Sequence, residues 1–440
     1  MLSRRFFIQS SGALALYMGV SPALALGSHT LCAPDDAPTV RRSKTLVVVF
    51  LRGGADGLNM IVPYGEEEYY KLRPGIAIAR ATDSKADQRA IDLDGFFGLH
   101  PRLGNLKGLF DSGAAVAAHA VGYDRNTRSH FEEQDTWETG IVGNTVSSDG
   151  WLNRHLMTSQ GRGPIRAVSI GDNLPRILHG KAPAFAVRGL EDLIIPGGKA
   201  GSERIAAALE HAYGTDVGSS SRRQQSAAAT ELLSATARTT LDGVRQLQAL
   251  TKAKYTPAAE YPRGDLGGKL MQVARLIKSD VGLEVAEVDF GGWDTHNNQG
   301  GAAGQQANLI GQLGDALAAF HQDLGDRNDD VVVVTMTDFG RTCAENGTSG
   351  TDHGWANAML LMGGPVAKAN AAAAAAGSAR KVAGRWPGML PEQLHQKRDL
   401  LHTTDFRDVI GELVSTHLGN EQIKAVLPNH QFKPVNLVTA

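Results

Sequence analysis

The sequence predicts an α/β fold in which a mostly parallel sheet is sandwiched by helices. Continuous apolar runs rich in β-branched residues are typical of strands that are covered on both faces. Such runs recur at 45–51, 114–121, 165–170, 283–289, 331–337 and 358–362. Helical patterns separate several of them, at 102–111, 301–325 and 405–418. Strands that alternate with helices favour a layered fold with parallel strands.

The N-terminal segment predicts export. Arg4 and Arg5 precede an uncharged, weakly apolar stretch at 11–26 that ends in small residues around Ala25. These features indicate a signal peptide, and the arginine pair is typical of the twin-arginine export route. The stretch is shorter than the about 20 apolar residues that a membrane-spanning helix needs. We therefore expect residues 1–26 to engage the twin-arginine export machinery and direct the protein to the periplasm or the medium, with no stable membrane span.

Downstream of this leader, the sequence predicts a linker and one large domain. Residues 27–44 are rich in proline, aspartate and arginine, as expected of a linker. We assign residues 45–440 to a single α/β domain. Between about 190 and 280 the alternation of strands and helices is interrupted, and helices predicted at 202–213 and 219–252 indicate a helical insertion or cap.

The composition excludes several classes of protein. The formal net charge is −2 and 20% of the residues are charged, which gives no sign of a nucleic-acid-binding surface. The 51 glycines suit a loop-rich α/β enzyme better than a coiled coil. The two cysteines, Cys32 and Cys343, are too few for a disulfide scaffold, although a disulfide between them is compatible with an oxidising compartment.

Candidate metal ligands follow two of the predicted strands. In open α/β sheets, ligands bind beyond the carboxyl ends of the strands. After the run at 45–51, glycines surround Asp56, whose carboxylate can either enter the cleft or cap the next segment. After the run at 283–289, Asp294 and His296 follow a Gly-Gly turn. An acid and an imidazole so close together can bind one divalent metal, and the alternative is a solvated loop anchored by Trp293.

A third strand end carries another acid together with an arginine. Asp338 follows the run at 331–337, Arg341 lies just beyond it, and His353 follows in the next loop. The guanidinium of Arg341 could bind an oxyanion through two parallel hydrogen bonds. The sequence thus predicts further metal ligands and an oxyanion clamp in this segment.

A serine lies at a predicted helix start after the run at 114–121. The free N–H groups and the dipole of a helix N-terminus favour an oxyanion, and a nearby metal could make Ser129 a nucleophile. Ser129 and Glu132 also form the pattern of a capping box, which explains the serine without any catalytic role. The two roles compete for one hydroxyl, and both stay open at this point.

Together these segments resemble DUF1501, a family of bacterial proteins with twin-arginine leaders. Besides the leader, the resemblance rests on motifs in the family's order at 50–59, 128–132, 291–296, 339–342 and 352–353. The family in turn is similar to the alkaline phosphatase and sulfatase superfamily, which binds one or two divalent metals at the carboxyl edge of its sheet. The resemblance therefore implies an alkaline-phosphatase-like fold.

The same resemblance implies an exported, metal-dependent hydrolase of phosphate or sulfate esters. Ser129 falls near the nucleophile, and Arg341 or Arg128 would bind the oxyanion of this small-molecule ester. The metal would be zinc, manganese, iron, calcium or magnesium. The residues that fall on the metal shell are Asp56, Asp294, His296, Asp338 and His353.

One departure from the superfamily's pattern keeps a second function open. Phe339 stands where the superfamily has a histidine after the strand-end acid, and a phenylalanine cannot bind a metal. One of two metal positions is therefore a donor short, unless His130, Asn59 or Asp352 replaces it. The alternative to the hydrolase is a catalytically degenerate binding or assembly protein on the same fold.

Overall fold

The computed structural model describes residues 42–143, 147–161, 163, 165–190, 243, 246–247, 250, 254–378 and 380–440. The predicted signal at 1–26 and nearly all of the predicted linker at 27–44 lie outside the described residues, as does Cys32. So do the helix predicted at 202–213 and most of the helix predicted at 219–252. The four described positions between 243 and 250 are helical.

All six apolar runs are strands, as predicted. The described strands in chain order are β1 (Thr45–Leu51), β2 (Ile61–Val62), β3 (Ile91–Asp92), β4 (Gly98–Leu99), β5 (Ala115–Gly122), β6 (Ala167–Ile170), β7 (Phe185–Val187), β8 (Val285–Phe290), β9 (Val331–Thr337), β10 (Asn357–Gly363), β11 (Val382–Ala383) and β12 (Thr404–Asp405).

Nine of these strands form one large open sheet that is mostly parallel. Its order is β11-β5-β10-β9-β1-β8-β6-β7, and β12 also pairs with β5. Only the pairs that β10 makes with β5 and β9 are antiparallel. The carboxyl ends of β1, β5, β8 and β9 therefore meet at one edge, together with the amino end of β10. Strands β2, β4 and β3 form a separate antiparallel sheet. The predicted α/β fold class is confirmed.

Helices of varied length connect the strands. In chain order they are α1 (Gly57–Met60), α2 (Glu67–Leu72), α3 (Lys107–Asp111), α4 (His130–Thr139), α5 (Trp151–Thr158), α6 (Asp265–Lys278), α7 (Gln305–Leu324), α8 (Gly364–Ala375), α9 (Phe406–Glu412) and α10 (Ile423–Val426). Short 3₁₀ segments run over Pro101–Leu106, Arg176–Leu178 and Gly325–Asp330, and a π turn over Leu413–His417 continues α9. No helix in the described part of the chain is long and apolar enough to cross a membrane.

The large sheet is covered on both faces, and β1 shows why its sequence is apolar throughout. Leu46 and Phe50 pack in a core that also contains Trp137 of α4. Val47 packs in the core on the opposite face, with Leu313 of α7. Because successive strand residues point to opposite faces, a strand buried on both faces is mostly apolar. The few polar side chains inside the strands are buried, such as Glu287 of β8, which accepts a hydrogen bond from Ser169 of β6.

Candidate metal centre

The edge at which the parallel strands end collects side chains from distant parts of the sequence. Asp294 follows β8, and His130 begins α4 beyond β5. His353 comes just before β10, whose reversed direction brings its amino end to the same edge. The turn after β1 packs directly against this edge: Gly53 has a φ of +117°, and a Cβ there would lie 2.6 Å from the backbone nitrogen of Asp294. Glycine is required at that point.

Three imidazoles surround one carboxylate oxygen of Asp294. Its Oδ1 lies 3.0 Å from Nε2 of His296, 3.3 Å from Nε2 of His353 and 3.5 Å from Nε2 of His130. The ligand atoms of His130, Asp294 and His353 all lie within 4.8 Å of one another. The Nε2 atoms of His296 and His353 are 3.0 Å apart. We call these four residues the histidine–aspartate cluster.

Each imidazole of the cluster is held through its other nitrogen. Nδ1 of His130 donates to Oδ2 of Asp338 at 2.7 Å. Nδ1 of His296 donates to Oδ1 of Asp352 at 3.1 Å. Nδ1 of His353 donates to the backbone oxygen of Arg128 at 2.8 Å. Ionised carboxylates and carbonyls can only accept, so each Nδ1 carries a proton. In the neutral imidazoles each Nε2 is then an unprotonated acceptor, and all three lie close to the same carboxylate oxygen.

A cation removes the repulsion that this arrangement otherwise creates. Two unprotonated nitrogens at 3.0 Å, from His296 and His353, repel each other unless a metal ion or a proton lies between them. The Nε2 of His130 is buried and makes no hydrogen bond with any described residue. Histidines that bind metals usually donate their other N–H to a carboxylate or carbonyl, as all three do here. Bonds of about 2.0–2.2 Å in a tetrahedral zinc site separate the donor atoms by about 3.3–3.6 Å. The distances from Asp294 Oδ1 to the three Nε2 atoms, 3.0–3.5 Å, are close to this separation, whereas the donor atoms of His130, Asp294 and His353 are up to 4.8 Å apart.

The charges around the cluster also favour a cation. Burial opposes ionisation of Asp294, but the hydrogen bond and charge of Arg341 outweigh it and lower the pKa. Burial of Asp338 is likewise outweighed, and its pKa is lowered, chiefly through the hydrogen bond from His130. A hydrogen bond from a neighbouring amide lowers the pKa of Asp352. Three carboxylates thus lie around the cluster, while the charge of Arg341 acts on Asp294 and that of Arg398 on Asp352, so the carboxylates outnumber these two arginines.

Asp56 is not one of the four residues of the cluster, and its role as a metal ligand stays a prediction. The residue is fully buried, and its Oδ2 accepts from Nη1 of Arg73 at 2.6 Å and from Nε2 of Gln299 at 2.7 Å. Arg73, equally buried, also donates to Asn59 and to two backbone oxygens. A guanidinium therefore already neutralises the Asp56 carboxylate. We call Asp56 and Arg73 the buried ion pair.

Asp338 contacts the cluster through His130, and its predicted role as a metal ligand stays a prediction. Its Oδ2 accepts from His130 at 2.7 Å and from Nε2 of Gln134 at 2.8 Å, and its Oδ1 accepts a backbone N–H from the turn after β1. Both oxygens are thus occupied, and the carboxylate orients His130. The ring of Phe339 lies 4.8 Å from that of His130 and 4.6 Å from that of His353, so this residue lines the cluster with apolar surface.

The two arginines predicted to bind an oxyanion are both engaged by other acceptors, to different extents. Arg341 is buried and donates to Asp294 and to four backbone oxygens. Arg128 donates to Asp399 and Gln396 through Nε and Nη2. Both side chains connect loops around the cluster, and the oxyanion-binding role of each stays a prediction.

Ser129 is the N-cap residue of α4, directly before His130. Its hydroxyl makes no capping hydrogen bond, so the capping box that the sequence allowed does not form. The residue is partly exposed. The first N–H groups of a helix lack partners within the helix, so this end of α4 offers free donors beside the hydroxyl.

Several partners of these side chains were not singled out in the sequence. Arg73 carries no motif signal, because a lone arginine in an amphipathic segment is indistinguishable from a surface residue. Gln134 could have been found, since His130 and Gln134 are four residues apart and share one face of a helix.

Cys343 is buried and free. Burial raises its pKa to about 12. A disulfide with Cys32, which the sequence allows, stays untested because Cys32 lies outside the described residues.

Sequence comparison matches the model of a family described as "Protein of unknown function (DUF1501)" to residues 43–426. No curated protein matches the chain. Among solved structures, the PH0037 protein from Pyrococcus horikoshii is similar at 12% identity and a TM-score of 0.27, over 73% of this chain and 86% of that chain. An alkaline phosphatase from the Antarctic bacterium TAB5 is similar at 10% identity and a TM-score of 0.30, over 74% of this chain and 93% of that chain. Neither likeness, at such scores, enters the functional interpretation.

Proposed function

The chain belongs to the DUF1501 family, whose description states no activity, and from its site we propose that it is a metal-dependent hydrolase of phosphate or sulfate esters. The histidine–aspartate cluster would hold a single divalent ion, and Ser129 would be the nucleophile. The order of the motifs along the sequence supports the same reaction class.

The observation that carries the proposal is the convergence of three imidazole Nε2 atoms on Oδ1 of Asp294. Three nitrogen donors and one oxygen favour zinc, manganese or iron over calcium and magnesium, which prefer oxygen ligands. Because the buried ion pair uses Asp56, the described residues offer ligands for one ion at this edge. The proposal therefore differs from the two-metal arrangement that the resemblance allowed.

A divalent ion at the cluster would stabilise negative charge on an ester oxygen and lower the pKa of a hydroxyl beside it. The protein's own contribution is to hold three imidazoles in one tautomer and to place a free hydroxyl at a helix N-terminus. The Ser129 oxygen would bond to phosphorus or sulfur while the bond to the alcohol oxygen breaks and the alcohol leaves with a proton. Water would then cleave the serine ester and restore the hydroxyl.

A second candidate function, metal binding without turnover, is favoured by two features of the same site. Phe339 places an apolar ring against two of the imidazoles, and Arg341 is saturated by other acceptors. A protein of this kind would keep its ion but hydrolyse no ester. The two candidates share the metal and differ only at Ser129.

Metal analysis combined with an ester panel separates these possibilities. Protein purified from the exported fraction should contain a divalent ion and should hydrolyse an aryl phosphate or an aryl sulfate. Ser129→Ala should keep the ion and lower kcat by at least about 100-fold, because the covalent route is lost. Ser112→Ala, which alters an exposed serine at the end of α3, is the matched control. Equal turnover by Ser129→Ala would refute the nucleophile, and protein without any divalent ion would refute the metal site.

We also propose that the protein acts in the periplasm or the medium. The arginine pair at Arg4 and Arg5 and the apolar stretch that follows support this location. Cell fractionation of the wild type and of an Arg4→Lys, Arg5→Lys variant tests it. Export should fail in the variant, and equal export of both forms would contradict the twin-arginine route.

A further inference from the structure

An anionic ester that approaches the histidine–aspartate cluster meets three carboxylates, those of Asp294, Asp338 and Asp352. Like charges at such short range oppose binding. A bound metal ion offsets part of this repulsion, and a free cationic side chain at the rim would offset more. Of the two arginines predicted for that task, Arg341 has all three guanidinium nitrogens engaged, and Arg128 is bound through Nε and Nη2 to Asp399 and Gln396.

Among the described residues, Arg398 is a more exposed arginine beside the cluster, and it keeps unused donors. Its Nη2 donates to the backbone oxygen of His353 at 3.0 Å, which places the guanidinium directly against a residue of the cluster. Its Nη1 is 3.5 Å from Oδ2 of Asp399, an oxygen that already accepts from Arg128. Its Nε makes no hydrogen bond with any residue that the structure describes. The side chain is 41% exposed, against 0% for Arg341.

The backbone that carries Arg398 is a closed turn. His395 and Asp399 pair across it through two backbone hydrogen bonds, and the N–H of Arg398 donates to the oxygen of His395. Gln396 and Lys397, between them, have φ values of +54° and +57°. Non-glycine residues seldom adopt this left-handed region, and such strain concentrates at functional sites. The turn therefore holds Arg398 in a defined position.

From these observations we infer that Arg398 receives the anionic group of the substrate at the histidine–aspartate cluster. Two of its donors can bind two oxygens of a phosphate or sulfate group, as guanidinium groups do. The inference rests on the hydrolase proposed above, because it names the residue that recognises that enzyme's ester. It assigns Arg398 to binding, while Ser129 and the cluster remain responsible for the chemistry.

Arg125 provides a matched control on a loop at the same end of the molecule. It is exposed, as Arg398 is, and it precedes the same helix as Ser129. Its Nη1, however, lies close to Gly143, beyond the far end of α4. Among the described residues, Arg125 makes no hydrogen bond or ion pair with the cluster.

The test is calorimetric binding of orthophosphate to the metal-loaded protein and to three variants. Arg398→Ala should weaken binding by about 10- to 100-fold, because a charge-assisted pair of hydrogen bonds is lost. Arg398→Lys should fall between the two, since it keeps the charge without the planar donor pair. Arg125→Ala should bind orthophosphate as the wild type does, and the metal content of all four proteins should be equal.

Three results would overturn the inference. The first is unchanged orthophosphate binding by Arg398→Ala, and the second is no orthophosphate binding by the wild type. The third is that Arg398→Ala loses both the metal ion and orthophosphate binding, which would mean that Arg398 only supports His353. Turnover separates this inference from the proposed reaction. If no ester is hydrolysed while orthophosphate binding still depends on Arg398, the anion site stands and the hydrolase fails.

Discussion

Two acidic residues follow neighbouring parallel strands of one sheet and have opposite surroundings. Strands β1 and β8 pair along their length, and each is followed by a glycine-containing turn and an aspartate. The side chain of Asp294, after β8, is 45% exposed and is contacted by three imidazoles. Asp56, after β1, is fully buried and bonded to Arg73.

The difference shows that a position at a strand end does not by itself make a carboxylate a metal ligand. The charge of Asp56 is neutralised by a guanidinium that is equally inaccessible to water. The charge of Asp294 is only partly offset by Arg341, because two further carboxylates stand nearby. The buried ion pair therefore stabilises the fold, whereas the site around Asp294 is available to an ion from solution.

Removal of Arg73 tests the structural half of this comparison and should have the largest effect. Arg73→Ala leaves the buried carboxylate of Asp56 without its partner, so the free energy of unfolding should fall by about 3–5 kcal/mol. Urea unfolding of chelated protein, followed by circular dichroism, measures the change. The double variant Arg73→Met, Asp56→Asn should recover part of the loss. Wild-type stability in Arg73→Ala would show that the buried ion pair contributes nothing to the fold.

Removal of a cluster residue tests the other half. His353→Ala removes one of the converging Nε2 atoms, so the affinity for a divalent ion should fall by more than about 100-fold. This loss exceeds the about 10- to 100-fold loss that follows removal of a residue that only orients a metal-binding histidine. The stability of the chelated protein should change little, since the imidazole is partly exposed. Competition with a chromophoric chelator measures the affinity. Asp56→Asn is the comparison variant, and its folded form should keep the wild-type affinity for the metal ion. If folded Asp56→Asn loses as much metal affinity as His353→Ala, the separation of the buried ion pair from the metal site is contradicted.

An intermediate effect is expected from the carboxylate that orients His130. Asp338→Asn should weaken metal binding by about 10- to 100-fold, because partners that orient metal-binding histidines have effects of this size. The same chelator competition measures the change. Asp92→Asn, which alters a hydrogen-bonded acid of the small sheet, serves as the control. If Asp338→Asn loses as much affinity as His353→Ala, then Asp338 is itself a ligand.

Much of the fold and part of the site could be predicted from the sequence. The apolar runs gave the strands because burial on both faces favours apolar residues, and strand direction then placed Asp294, His296 and His353 together. The contact between Asp56 and Arg73 could not be predicted, because the packing of α2 brings Arg73 to Asp56. No local pattern records such a contact.

The orientation of side chains was also beyond the sequence. From the sequence, the carboxylate of Asp338 could equally face the ion or the imidazole of His130. Its orientation toward His130 is fixed by hydrogen bonds from Gln134 and from the backbone N–H of Gly53 after β1. Arg341 looked free because its acceptors are backbone oxygens from three separate loops.

The smallest expected effect lies within the cluster itself. The hydrogen bond to Asp338 raises the pKa of His130, whereas burial lowers the pKa of His353. In chelated protein, NMR titration should therefore find His130 above and His353 below the ordinary histidine value of 6.5. A raised folded-state pKa means that the contribution of His130 to stability is complete below about pH 6.5 and is lost as the pH rises through the folded value. Titration of the two residues in the reverse order would contradict the hydrogen-bond assignment.

The most direct test of the central claim is the metal content and ligand shell of the exported protein. Elemental analysis should find a single divalent ion per chain, and X-ray absorption should find imidazole nitrogens as its main ligands. The ion should persist in Asp56→Asn and disappear in His353→Ala. Protein without a divalent ion, or an ion that persists in His353→Ala and is lost in Asp56→Asn, would contradict the assignment of the metal to the histidine–aspartate cluster.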